Sequence, residues 1–199
     1  MKINIRKYLA EGLLIVFSVL FALFINKLFD DYKTAQKKKI AIESIEKELY
    51  RNQAILERWK EKHTAIRDRI SGIISNKEDS LRAKLKKYDH LNLGVLTNNE
   101  SLIDAILINT AWESAKTTGI LAEFDFETMQ KLTHVYTMQQ VVMEKTLSEI
   151  LDYYFDVSTH DVKILDQIMV QFHLRFRELT GQEQLLTHLY SDAIKQISD

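Results

Sequence analysis

A chain of 199 residues with no cysteine, no proline, only five glycines and a formal charge of −1 cannot build a disulfide scaffold, a Cys-ligated metal centre or a thiol nucleophile. The glycines are too scattered for a phosphate-cradling loop or a nucleophile elbow, and the slightly acidic balance, without a recognised binding module, argues against nucleic acid as a partner. So few helix breakers, and no β-rich alternating run, predict an all-α fold.

Residues 1–7 form a basic tail with Lys2, Arg6 and Lys7. Residues 8–29, YLAEGLLIVFSVLFALFINKLF, are interrupted only by Glu11, Asn26 and Lys27, apart from the hydroxyls of Tyr8 and Ser18. At about 1.5 Å per residue this stretch is ~33 Å long, enough to cross ~30 Å of hydrocarbon as a helix, the form lipid requires. Tyr8 and Phe29 suit the two interfaces, and Lys27 can snorkel. A cleaved secretory signal is the competing reading, but FINKLFDD after Leu23 offers no small-x-small cleavage site. Orientation is contested within the sequence. The basic leader favours a cytoplasmic tail with the domain outside, whereas Lys27, Lys33 and Lys37 to Lys39 on the other flank pull the opposite way. The tail-inside arrangement is preferred here.

Residues 30–199 suit a single extramembrane helical domain. Ile42, Ile45, Leu49, Leu56, Trp59, Ile66, Ile70 and Ile73 keep a 3-4 spacing, with Asn52 and His63 at the two remaining seam positions. This coiled-coil-like stripe predicts that the transmembrane helix runs on as a rod to about Ser75, holding the rest of the domain tens of ångströms from the bilayer. Asn52 and His63 either fix register with a partner or sit at the wet edge of a stripe packed inside the chain.

Beyond the rod, SNKEDS at 75–80 reads as a turn, and a short basic helix is expected around 81–88. Thr97-Asn-Asn-Glu100 and Thr110-Ala-Trp-Glu113 both match a capping box, and Gly119 should close the helix opened by the second. Three further amphipathic helices are expected. Met129 to Tyr154 mark the first, Val162 to Leu179 the second after a cap at Ser158 or Thr159, and Leu186 to Ile197 the third, with Thr180-Gly-Gln-Glu183 as a stop and restart. Short links predict antiparallel neighbours in an up-down bundle. Trp112 is either a recognition corner against the rod or a core anchor. Charge is segregated: residues 1–90 carry 20 Lys and Arg against 12 Asp and Glu, residues 91–199 carry 7 against 16. The halves can attract each other on folding, the basic half can lie near anionic lipid, or the charges can form a solvated face.

No motif assigns a catalytic, cofactor-binding or metal-ligating residue, and an enzyme is not expected. None of His63, His90, His134, His160, His173 and His188 lies in a zinc-protease or di-iron spacing. Glu11-Gly12 opening an apolar helix that ends in Leu23-Phe-Ile-Asn26, followed by Ile45-Glu-Lys-Glu-Leu49-Tyr-Arg-Asn52 and the Trp112-Glu113 to Gly119-Ile-Leu121 corner, resembles a family of uncharacterised bacterial proteins with one N-terminal transmembrane helix and a helical domain of unknown function. The resemblance implies a protein of the bacterial envelope and carries over no catalytic residue. The expected function is therefore a scaffolding or interaction module of the bacterial inner membrane, domain in the periplasm, that meets the lipid bilayer and a protein partner or a second copy. The competing expectation is a sensor-like bundle binding a small ligand in a partly polar cavity between the last three helices.

Overall fold

The computed structural model describes residues 5–75 and 77–198. The basic side chains of the tail, the Tyr8 ring and Asn76 of the expected turn lie outside the described residues. The fold is all-α. One helix, α1 (Ile5–Ile74), contains both the apolar stretch and the rod. Short α2 (Asp79–Leu85) caps its far end, and a largely irregular strap over residues 86–109 leads to α3 (Thr110–Thr117). Helix α4 (Phe126–Gln140) passes through a π-helical turn (Val141–Thr146) directly into α5 (Leu147–Phe155). Two 3-10 turns then lead to α6 (Leu165–Ser198).

The predicted stripe is the core. Ile45, Leu49, Leu56, Trp59, Ile66, Ile70 and Ile73 are all buried, facing Phe172, Phe176, Leu186 and Tyr190 of α6 and Leu132 and Val135 of α4. Helix α6 runs antiparallel to α1, since Thr180, Glu183, Ser191 and Ser198 bond Arg67, His63, Gln53 and Glu46 in that order. It also runs antiparallel to α4, with Thr146 on Gln182 and Lys131 on Gln196. Because the strap carries the chain back along α1, α4 starts at the same end as the stripe and runs parallel to it.

Several local expectations are corrected. The rod is not a spacer: Lys38 Nζ lies 6.0 Å from the centroid of Phe124, so the body begins about nine residues, ~14 Å, beyond Phe29. Thr97 to Glu100 starts no helix. Asn98 and Asn99 take left-handed angles (φ 56° and 61°), and Thr97 Oγ1 donates to the Gly94 carbonyl. The caps before α6 are Asp156 and Asp161, which accept from Ser158 N–H and Lys163 N–H, rather than Ser158 or Thr159. No stop occurs at Thr180-Gly181. The core stripe of α6 passes through Phe176, Leu179, Thr180, Glu183 and Leu186 without a break, and packing along it outweighs the ~1 kcal/mol that a mid-helix glycine costs. The expected three last helices are thus two long rods, α4–α5 and α6. Gly119, by contrast, does terminate α3, with φ of 72°.

Nothing lies within 4 Å of a Cβ built on either Gly119 or Gly181. Their backbones therefore decide the outcome of Gly→Ala exchange. Gly181→Ala should raise stability by about 0.5–1 kcal/mol, and Gly119→Ala should lower it by about 1–2 kcal/mol because the left-handed angle strains a Cβ. Urea unfolding of the detergent-solubilised chain, followed by circular dichroism, reads both signs.

Candidate functional site: a polar seam and a cationic groove

Polar residues interrupt the α1 stripe at Glu48, Asn52 and His63, all buried. Each one holds the strap or the start of α3. Glu48 accepts from Ala111 N–H (2.8 Å), from Trp112 N–H (3.4 Å) and from the Tyr136 hydroxyl (2.7 Å). The first turn of α3 is therefore capped from the rod, not by the Thr110–Glu113 box, and its own Asn109 cap position supplies no side-chain bond. Asn52 pairs with both backbone groups of Ile108, donating to the carbonyl at 2.6 Å and accepting from the N–H at 3.0 Å, and also donates to Gln139. Gln139 in turn accepts from the Tyr190 hydroxyl at 2.6 Å. Both phenols are held above their ordinary pKa. Burial is the main cause in each; the Glu48 carboxylate reinforces it.

Farther along the rod, His63 sits between the Leu102 carbonyl (Nε2, 3.0 Å) and Glu183 of α6 (Nδ1, 2.5 Å), with both side chains fully buried. Nε2 must carry a hydrogen to meet the carbonyl, which leaves Nδ1 facing the carboxyl of Glu183. The expected wet edge at Asn52 and His63 is therefore corrected: both are sealed by the strap. Trp59 Nε1 donates to Asp104 at 2.9 Å, Lys62 to the Ser101 carbonyl and Arg69 to the Leu96 carbonyl. Burial opposes ionisation of Asp104, but the Trp59 N–H and the charges of Lys62 and Arg58 outweigh it and hold the carboxyl below its usual value.

The histidines make no centre. His134 and His188 are exposed on outer faces, and His160 is spent on the Leu91 and Tyr154 carbonyls. Among the described residues no three His, Asp or Glu side chains converge as metal ligands. Trp112 is a core anchor, 6% exposed and stacked on Tyr136 at 5.0 Å, and it is also the corner that meets the rod. A hollow of about 570 Å³ lies at the junction of α5 and α6, beside Tyr153 and Val170, and two others flank α3. One, of about 900 Å³, separates α3 from α4 beside the π-turn, with Trp112 and Tyr136 in its wall. The other, of about 650 Å³, is a groove between α1 and α3. Its α1 wall is Lys37, Ile40, Ala41, Ser44, Lys47 and Arg51, a 3-4 spaced face; Ala111, Ser114, Ala115 and Thr118 form the α3 wall.

The sequence alone did not single out Glu48, Gln139 or Tyr190; it placed Tyr136 in an apolar helix stripe and Glu183 at a helix restart, with no polar role for either. The signal for Glu48 was its place among Ile45, Leu49 and Asn52, where a solvated carboxylate would not be put. These features define a class: an all-α body built around the distal part of one helix whose N-terminal part is apolar and bare. No protein-family model matches the chain, and neither a similar curated protein nor a similar solved structure was found.

Removing one member of the His63–Glu183 pair strands the other in the core. His63→Leu should cost about 3–5 kcal/mol, and the double exchange with Glu183→Leu should recover much of it, because the pair is then replaced by apolar packing. Asn52→Ala, which leaves the Ile108 N–H without a side-chain partner and its carbonyl with Gln139 alone, should cost about 1–3 kcal/mol, against less than ~0.5 kcal/mol for exposed Glu57→Ala. Urea midpoints by tryptophan fluorescence measure all four. Asp104 predicts a pH effect. Its folded pKa is depressed, so its contribution is full above pH ~4 and is lost as pH falls through the lowered value. Asp104→Asn should therefore reduce the stability difference between neutral and strongly acid solution.

Proposed function

We propose that the chain is a single-pass protein of a bacterial inner membrane, whose helical body works as an interaction module close to the bilayer surface and engages a protein partner or a second copy of itself. One observation carries the reading. From Leu9 to Phe29 every large apolar side chain is 46–68% exposed, on a helix that continues without interruption into the core of the body. The best 18-residue window of that helix has mean hydropathy 2.3, and none of it is buried within the chain. A sleeve this apolar and this bare needs a non-aqueous coat, and ~30 Å of hydrocarbon supplies one. The basic tail favours a periplasmic body.

The interaction surface is not the α1 stripe, because the chain's own α4 and α6 cover it. What supports an outward-facing role is the far end of the body, where Phe155 and Val157 are 72% and 88% exposed beside the turn that follows α5. Apolar side chains this open at the tip of a tethered body are suited to burial against a partner.

The chain has no cysteine, so a single introduced one reports cleanly. The full chain should resist carbonate extraction, and Glu57→Cys should react with a membrane-impermeant maleimide in intact spheroplasts. A photoreactive residue at Val157 should give a discrete cross-linked species in native membranes, absent for the same residue at Glu57. Carbonate release would remove the anchor; a strictly monomeric profile from Val157 would remove the interaction role.

A further inference from the structure

The α1–α3 groove has a chemistry that the seam does not use. Its floor is apolar: Ala41 and Ala111 are partly exposed, Ala115 and Ile120 close the bottom, and Ile40 stands 61% exposed on the rim. Around this floor stand Lys37, Lys47 and Arg51. Among the described residues none of the three forms an ion pair. The one carboxylate in the lining, Glu48, is already engaged by two backbone N–H groups and the Tyr136 hydroxyl. An unneutralised cationic rim over an apolar floor selects an amphiphile of negative charge.

We infer that this groove holds one acyl chain of an anionic lipid, with the head group between Lys47 and Arg51. The dimensions fit. The α1 wall from Lys37 to Arg51 is ~21 Å long at 1.5 Å per residue, room for one leaflet's ~15 Å of hydrocarbon and a head group. A volume of about 650 Å³ lies within the roughly 300–1,000 Å³ of ordinary ligand sites. The Lys37 end of the groove lies about eight residues or ~12 Å past Phe29, so a lipid can be drawn in head group first, with its acyl tail left on the side of the bilayer. That route rests on the membrane reading above. The chemistry of the groove does not, and a free fatty acid offers the same chain and charge.

The test uses the full chain in nanodiscs of phosphatidylcholine carrying a small fraction of phosphatidylglycerol with a diazirine in its acyl chain. Phosphatidylcholine bearing the same diazirine, and diazirine-palmitic acid, are run in parallel. Peptide mapping should place the phosphatidylglycerol or palmitic acid adduct within residues 40–51 and 110–120, well above the phosphatidylcholine adduct. Ser44→Phe, which fills the groove from an exposed position, should abolish that adduct. Removing two cations near an anionic head group predicts about a thirtyfold loss of affinity for Lys47→Gln with Arg51→Gln. All three positions are exposed, so unchanged circular dichroism certifies the fold. An adduct from palmitic acid alone assigns the site to free fatty acid. Equal labelling by phosphatidylcholine, labelling confined to the apolar segment, or labels indifferent to these variants would overturn the inference. So would a disulfide between two copies through Ser44→Cys, which would seat a second copy in the groove. Failure of the chain to enter nanodiscs would count against the anchor alone, since palmitic acid still probes the groove in solution.

Discussion

The structure depends on a ladder of α1 side chains that hold the strap and the first turn of α3, mostly by their backbone groups and at Asp104 by its carboxylate. Arg69, His63, Trp59, Asn52 and Glu48, read down the rod, meet Leu96, Leu102, Asp104, Ile108 and Ala111, read up the strap. A non-helical segment laid on a core helix must find partners for its N–H and C=O groups, and leaving them bare costs about 1–3 kcal/mol each. Turns within residues 91–100 satisfy part of the strap, and the rod supplies partners at Leu96, Ser101, Leu102 and Ile108. Because the strap is fixed in this way, α3 and α4 start where they do, and α6 finds a groove to close. The polar residues in an otherwise aliphatic stripe are thus explained by architecture rather than by reaction chemistry.

How much of this was legible in the sequence follows from whether a signal was local. The helix from the apolar leader to Ile74 was readable because its periodicity is carried by one continuous segment. Gly119 was readable because a left-handed C-cap is a property of a few consecutive residues. The strap was not. Glu48 and Ala111 are 63 positions apart, and nothing near Thr110 announces that its helix will be capped from elsewhere. The Thr97 box failed for the same reason in reverse. Its residues satisfy the pattern, but Asn98 and Asn99 accept left-handed angles and turn the chain instead. At Gly181 a glycine that is punctuation in isolation became ordinary helix, because core residues on either side keep the same face inward.

The seam also redirects attention to what remains on the outside. Both ring nitrogens of His63 and both oxygens of Glu48 are engaged, the aliphatic stripe is covered, and Glu183 keeps one buried oxygen without a partner. What is left is the cationic α1–α3 groove near the apolar sleeve, the hollow behind Trp112, and the open Phe155–Val157 tip. The charge segregation of the sequence takes a concrete form here: basic α1 packs against the acidic later helices, and on its groove face Lys37, Lys47 and Arg51 form no ion pair among the described residues.

One feature of α1 bears on orientation rather than on binding. Between Gly12 and Gly72 the helix holds neither glycine nor proline, so bare sleeve and packed core turn as one body. Each residue of an α-helix advances ~1.5 Å and rotates about 100°. Inserting a single residue after Phe29 would therefore lift the body hardly at all, yet swing its groove and its tip round to a different compass bearing relative to the sleeve. The length of that uninterrupted stretch sets the azimuth at which the protein faces its neighbours.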